Sequence, residues 1–143
     1  MRPIKDFEEY VEAQIVKEQS PDKSRANSLK KESEQAEIFL RKIMETIGIS
    51  DDNANTVIKI TYDIIMAKIR AEMILKGYNS QGQGAHEAEV AYLRKLKFGE
   101  KDIQFCDQLR YFRNGIMYYG KSFDEEYAKK TIDFLQKFKQ KIK

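Results

Sequence analysis

The chain has little of what catalytic and disulfide-stapled small proteins are built from. Its 143 residues include one cysteine (Cys106), one histidine (His86), two prolines and no tryptophan. A single cysteine excludes a disulfide framework and any Cys-rich zinc module, and it fits a reducing compartment. The longest run of aliphatic side chains, Ile64-Ile65-Met66-Ala67, is far too short to span a bilayer. The opening residues, Met1-Arg2-Pro3-Ile4-Lys5-Asp6, hold no apolar signal-peptide core. A cytoplasmic protein without membrane segments is therefore expected. Excess charge of one sign is scarce too. The 26 basic residues against 23 acidic ones leave a net charge of +3, too small for bulk-charge binding of nucleic acid but compatible with a local basic patch.

What the chain does have is helical patterning. Hydrophobic residues make up 41% and charged ones 34%, enough apolar side chain for one packed domain over residues 1–143. Strand-like alternation is hard to find, while apolar residues recur at helical spacing almost throughout. Ile4, Phe7, Val11 and Ile15 mark a first helix. Ser20-Pro21-Asp22 reads as the start of a second, with Leu29, Ser33, Ala36, Leu40, Ile43 and Ile47 on one face and Gly48 at its end. Ser50-Asp51-Asp52 caps a third, apolar around more than half its circumference and closed by Gly77. Tyr78–Gly84 reads as a loop. A short helix with Val90, Leu93 and Leu96 follows, then one with Phe105, Leu109, Phe112, Ile116 and Tyr119 on a stripe. Ser122-Phe123-Asp124-Glu125 reads as a capping box before a last helix with Ala128, Ile132, Leu135, Phe138 and Ile142. The expected fold is all-α, an antiparallel helical bundle of five or six helices.

The lone His86 would have to serve any Ser-His-Asp or Cys-His arrangement, and nothing near it in sequence supplies an oriented nucleophile. His86-Glu87 opens like a zincin helix, but Val90 stands where the second ligand is needed. It reads instead as a packed or loop-capping residue on the face of Val90 and Leu93. Gly82 and Gly84 lack the preceding strand and the Gly-Lys-Ser/Thr of a phosphate loop. No metal or cofactor is expected. Asp51-Asp52 and Glu125-Glu126 sit in first turns, where they offset the helix dipole. Lys129, Lys130, Lys137, Lys139, Lys141 and Lys143 read as a solvated helix face, with a phosphate-backbone patch as the alternative.

The most unusual stretch runs from Leu109 to Gly120. On a regular helix Arg110, Asn114 and Tyr118 form one polar stripe flanked by Arg113, with Tyr119 alongside. Two guanidiniums, an amide and a phenol suit phosphate together with a base or ribose. The alternative is that Arg110 and Arg113 pair with carboxylates such as Asp107 or Glu72. Gly115 costs about 1 kcal/mol of helix stability against alanine, which points to a kink or a close backbone approach.

This segment resembles the motif of HEPN domains, small all-α bundles that often act as homodimers. Their signature is Arg, four to six residues, then His, often with Asn after the Arg. Arg113-Asn114 matches the opening, and the order of two long helices, a loop, a short helix, a motif helix and a final amphipathic helix agrees with theirs. The resemblance implies a homodimer whose cleft binds RNA or a nucleotide through Arg110, Arg113, Asn114 and Tyr118. In active members the Arg holds phosphate and the His does acid-base work in metal-independent RNA cleavage. This chain has Tyr118 at the His position. Phenols titrate near 10 and imidazoles near about 6.5, so a phenol is poorly matched to proton transfer at neutral pH, although it still donates a hydrogen bond. Binding is therefore expected to survive better than cleavage, with Arg113 and Tyr118 the catalytic candidates for an endoribonuclease toxin. One large HEPN group partners minimal nucleotidyltransferases in toxin-antitoxin pairs, and the resemblance implies such a partner as a third reading. The tyrosine modified in that group has Gly120 at its place here, next to Tyr119.

Overall fold

The computed structural model describes residues 3–142, and the fold is all-α. Among the described residues there are six α-helices, one 3₁₀ turn and one pair of short strands: α1 (Phe7–Glu12), β1 (Val16–Glu18), α2 (Lys23–Thr46), α3 (Ala54–Leu75), β2 (Tyr78–Ser80), α4 (Ala85–Ala91), the 3₁₀ turn Tyr92–Arg94, α5 (Glu100–Tyr119) and α6 (Glu125–Lys141). No helix among the described residues is long and apolar enough to cross a membrane. The chain divides into two compact units, Met1–Lys30 with Met66–Gln108 and Lys31–Ile65 with Leu109–Lys143.

In the first unit the chain departs from the expected first helix. Glu9 Oε2 accepts from the Asp6 N–H at 3.1 Å and starts α1, but Gln14 enters the left-handed region (φ 61°) and ends it early. Ile15 thus never joins the helix, and β1 follows with Val16 buried. β1 pairs antiparallel with β2 in the register Val16–Ser80, Lys17–Asn79 and Glu18–Tyr78, so part of the expected Tyr78–Gly84 loop is strand. Gly77 makes this pairing possible. At φ 84° a Cβ there would collide with the Gln19 carbonyl oxygen, a clash only glycine avoids. Phe7, Tyr78 and Tyr92 meet edge to face with centroids 4.9 to 6.0 Å apart. Burial pushes the Tyr92 phenol up to about 12.

Among the described residues, the second unit holds helices and no strand. α6 buries Ala128, Ile132, Leu135 and Phe138 as its spacing requires, with Thr131 and Phe134 beside them. α3 buries Val57, Ile58, Ile64 and Ile65 in this unit and continues with Ile69 and Ile74 in the other. Several helices begin two or three residues later than the sequence signals indicate. Asp22, not Ser20, accepts from the Arg25 N–H at 2.9 Å and caps α2. Asn53 stands just before α3, its backbone carbonyl accepting from the Val57 N–H at 3.0 Å. Its side chain ties the preceding loop, accepting from the Ser50 N–H and donating to the Gly48 carbonyl, each at 2.9 Å. Asp124, not Ser122, accepts from the Tyr127 N–H at 2.9 Å. Asp51, freed from its expected cap, accepts instead from the Glu125 N–H at 2.9 Å, at the start of α6. In runs of adjacent Ser, Asp and Asn each residue can cap, and packing decides which one does.

Candidate functional site

The first half of α5 is anchored by Ile103, Cys106, Asp107 and Leu109, all buried. Beyond Phe112 the helix emerges, and Met117, Tyr118 and Tyr119 stand exposed, the two phenols at 69% and 77%. Gly120 takes the left-handed conformation (φ 65°) and the chain doubles back, so that the Lys121 N–H donates to the Gly115 carbonyl at 3.1 Å. The Lys121 stem then lies over Gly115, where a Cβ would come within 3.1 Å of its Cγ. Gly115 thus permits a close approach. Asn55 of α3 pins the returning segment at both ends, donating to the Lys121 carbonyl at 3.0 Å and accepting from the Phe123 N–H at 2.9 Å. Phe123 stacks on Phe112 with centroids 4.6 Å apart, and Tyr127 packs edge-on against Phe112 at 5.1 Å.

This reversal encloses a hollow of about 480 Å³, mostly apolar, lined by Tyr111, Phe112, Asn114, Gly115, Tyr118, Tyr119, Lys121 and Phe123. Tyr111, Asn114 and Tyr118 follow one another at three- and four-residue spacing along one helix face. The stacked phenylalanines make a rigid floor. The hollow offers phenol faces for stacking, a carboxamide that both donates and accepts, and one ammonium group.

Of the residues expected at a shared cleft, the structure brings together Asn114, Tyr118 and Tyr119. Arg110 and Arg113 are not among the lining residues. Arg110 is half-buried. Arg113 reaches α3 instead, with an Nη 3.6 Å from Asp63 and its guanidinium 5.6 Å from the centre of the Tyr62 ring. Its Nε is buried and has no hydrogen-bond partner among the described residues. The carboxylate that engages Arg113 is thus Asp63, neither Asp107 nor Glu72. Glu72 pairs with Lys30 at 3.6 Å. Tyr111 and Lys121 complete the hollow and went unread in the sequence. Tyr111 stands seven residues before Tyr118, a spacing that carries the signal, whereas Lys121 arrives only through the turn at Gly120.

The other expected features resolve into structure. His86 is half exposed at the start of α4, its Nδ1 3.0 Å from Oε1 of the buried Glu89. Glu89 also receives two hydrogen bonds from Arg70, at 2.7 and 3.1 Å, and one from Ser80 at 2.7 Å. Burial alone would raise the Glu89 carboxyl. The hydrogen bonds from His86, Arg70 and Ser80, with the Arg70 charge, outweigh it and hold the group below its usual range. His86 thus pairs with the Glu89 side chain from within the first turn of α4, where it neither packs into the core nor caps the helix, whose N-cap is Gly84. Lys129 and Lys130 pair with Glu125 and Glu126 on their own helix at 3.2 and 3.7 Å, and Lys139 pairs with Glu37 at 2.6 Å. Lys143 lies outside the described residues.

Two further hollows are occupied by structural chemistry. One, of about 610 Å³, lies beside the start of α6, where Asp51 and Asp124 spend carboxylate oxygens on backbone N–H groups. The other, of about 390 Å³, borders Arg94, which is held by Glu100 and by the Ile4 and Lys5 carbonyls. Among the described residues, no group of three or more His, Cys, Asp or Glu side chains could hold a metal ion. The fold and site thus define an all-α helical bundle with an aromatic hollow at the end of one helix. No family model matches the chain, and neither curated proteins nor solved structures give a match.

Proposed function

We propose that this chain is a HEPN-like helical protein that works as a homodimer and binds RNA or a nucleotide, taking a base into the hollow at the end of α5. The observation that carries the reading is the grouping of three exposed phenols, Tyr111, Tyr118 and Tyr119, around the Asn114 carboxamide and the Lys121 ammonium. Bases stack on aromatic faces whatever their sequence, an amide reads a base edge, and an ammonium meets phosphate. The Arg113-Asn114 pair on α5, and the succession of long, long, short, motif and amphipathic helices, support the HEPN likeness. The phosphate role that the likeness gives to Arg113 passes in this reading to Lys121, because Asp63 engages Arg113.

The reading is for binding rather than cleavage. A phenol stands where an imidazole would transfer protons, and no imidazole lines the hollow. Calorimetric titration of adenosine and uridine monophosphates and a short RNA strand into the wild type and Tyr118→Ala tests it. Loss of one stacked base costs about 1–3 kcal/mol, so affinity should fall by about five- to 150-fold in the variant. Equal affinities, or no heat of binding with either protein, would overturn the reading.

A further inference from the structure

The outer face of α2 carries its own complement. At seven-residue spacing Lys31, Ile38 and Glu45 lie along one stripe, flanked by Glu34, Gln35, Arg41 and Lys42, and every one of these side chains is exposed. The stripe spans about 21 Å at a rise of about 1.5 Å per residue. Ile38, at its centre, is 48% exposed, and the neighbouring Phe39 is 57% exposed. Both are large apolar side chains open to solvent. About Ile38 two pairs of charges stand with opposite signs at equal distances, while Arg41 has the uncharged Gln35 opposite it. Glu34 stands four residues to one side and Lys42 four to the other, and Lys31 and Glu45 stand seven residues to either side.

We propose that this face pairs with the same face of a second copy, antiparallel, about a two-fold axis passing beside Ile38. The proposal rests on the homodimer reading above and names α2, rather than the α5 cleft that the resemblance implies, as the surface where the copies meet. An antiparallel pair sets Ile38 against Ile38 and Glu34 against Lys42 of the other copy. It also sets Lys31 against Glu45, and the two-fold axis makes each ion pair twice. A parallel, in-register pair would instead set Glu34 against Glu34 and Lys31 against Lys31. The charge order therefore selects the antiparallel arrangement. One four-turn helix face is small beside the roughly 1,200 Å² that stable interfaces bury, so the dimer exchanges with monomer as concentration changes. Its rim charges make it sensitive to salt.

Sedimentation velocity over a concentration series tests the proposal, with the wild type beside Ile38→Asp, Glu34→Lys and the exchanged pair Glu34→Lys/Lys42→Glu. The wild type should dimerise, and more weakly at about 1 M than at about 0.1 M salt. Glu34→Lys should weaken association by about tenfold or more, because it turns both symmetry-related ion pairs with Lys42 into like-charge contacts, and Ile38→Asp should weaken it similarly. The exchanged pair should restore association to near the wild-type value, a rescue that misfolding or a general charge effect would not give. A wild type that is monomeric throughout overturns both this proposal and the homodimer reading. A dimer indifferent to Ile38→Asp and Glu34→Lys overturns this surface alone. Weakening by Glu34→Lys without rescue in the exchanged pair overturns the antiparallel register.

Discussion

Two regions of the chain carry polar and aromatic side chains in unusual density, and they use them in opposite ways. Around α4 every conspicuous group is turned to holding the fold. Glu89 is 1% exposed, yet its carboxylate takes hydrogen bonds from Arg70, Ser80 and His86. At the end of α5, phenols and an amide stand open around a hollow while the nearby Arg113 is turned toward α3. The residue that looks most chemical in the sequence, His86, belongs to the inward-directed region. The plain tyrosines belong to the outward-directed one. Chemical reactivity of a residue type is thus a poorer guide than whether its neighbours leave it anything to bind.

Glu89→Ala should break the first region hardest. Removing one member of a buried, hydrogen-bonded ion pair costs about 3–5 kcal/mol, read as a lower urea midpoint, while nucleotide affinity at the α5 hollow stays unchanged. Tyr118→Ala should do the reverse, losing about five- to 150-fold in affinity with stability held within about 0.5 kcal/mol, because the side chain is exposed. Asn55→Ala should bridge the two behaviours. It removes two hydrogen bonds that hold the Lys121–Phe123 segment, at about 0.5–1.5 kcal/mol each, and weakens binding by loosening one wall of the hollow.

A smaller effect follows acidity. The Glu89 carboxyl is held below its ordinary value of 4.5 in the folded chain, so its contribution to stability is present above that value and is lost as pH falls through the folded-state pKa. Urea midpoints of Glu89→Gln should accordingly lie below the wild type's at neutral pH and draw nearer to them in acid. A constant gap down to low pH would contradict the role given to that carboxylate.

Long periodic segments were legible in the sequence. The apolar face of α6 from Ala128 to Phe138 and the thickly apolar α3 both fold as their spacing indicates, because many residues repeat the same message. Helix starts were legible only to within two or three residues, since adjacent Ser, Asp and Asn compete to cap and tertiary hydrogen bonds choose among them. β1 and β2 were not legible. Three residues cannot show alternation, and their pairing rests on Gln14 and Gly77 taking left-handed conformations. At the candidate site, the grouping of Arg110, Arg113, Asn114 and Tyr118 on α5 marked the segment. The partner of Arg113 lies on a different helix, and Lys121 reaches Gly115 only after the chain reverses, so neither could be read from local spacing.

Whether the end of α5 takes a base decides the function. Titrating adenosine monophosphate into isotope-labelled protein, with the side-chain amide of Asn114 and the backbone amides of residues 111–123 followed by NMR, tests this directly. Saturable shifts concentrated on those residues, including the Asn114 carboxamide, are the predicted result. Shifts centred elsewhere in the chain, or none at saturating nucleotide, would contradict it.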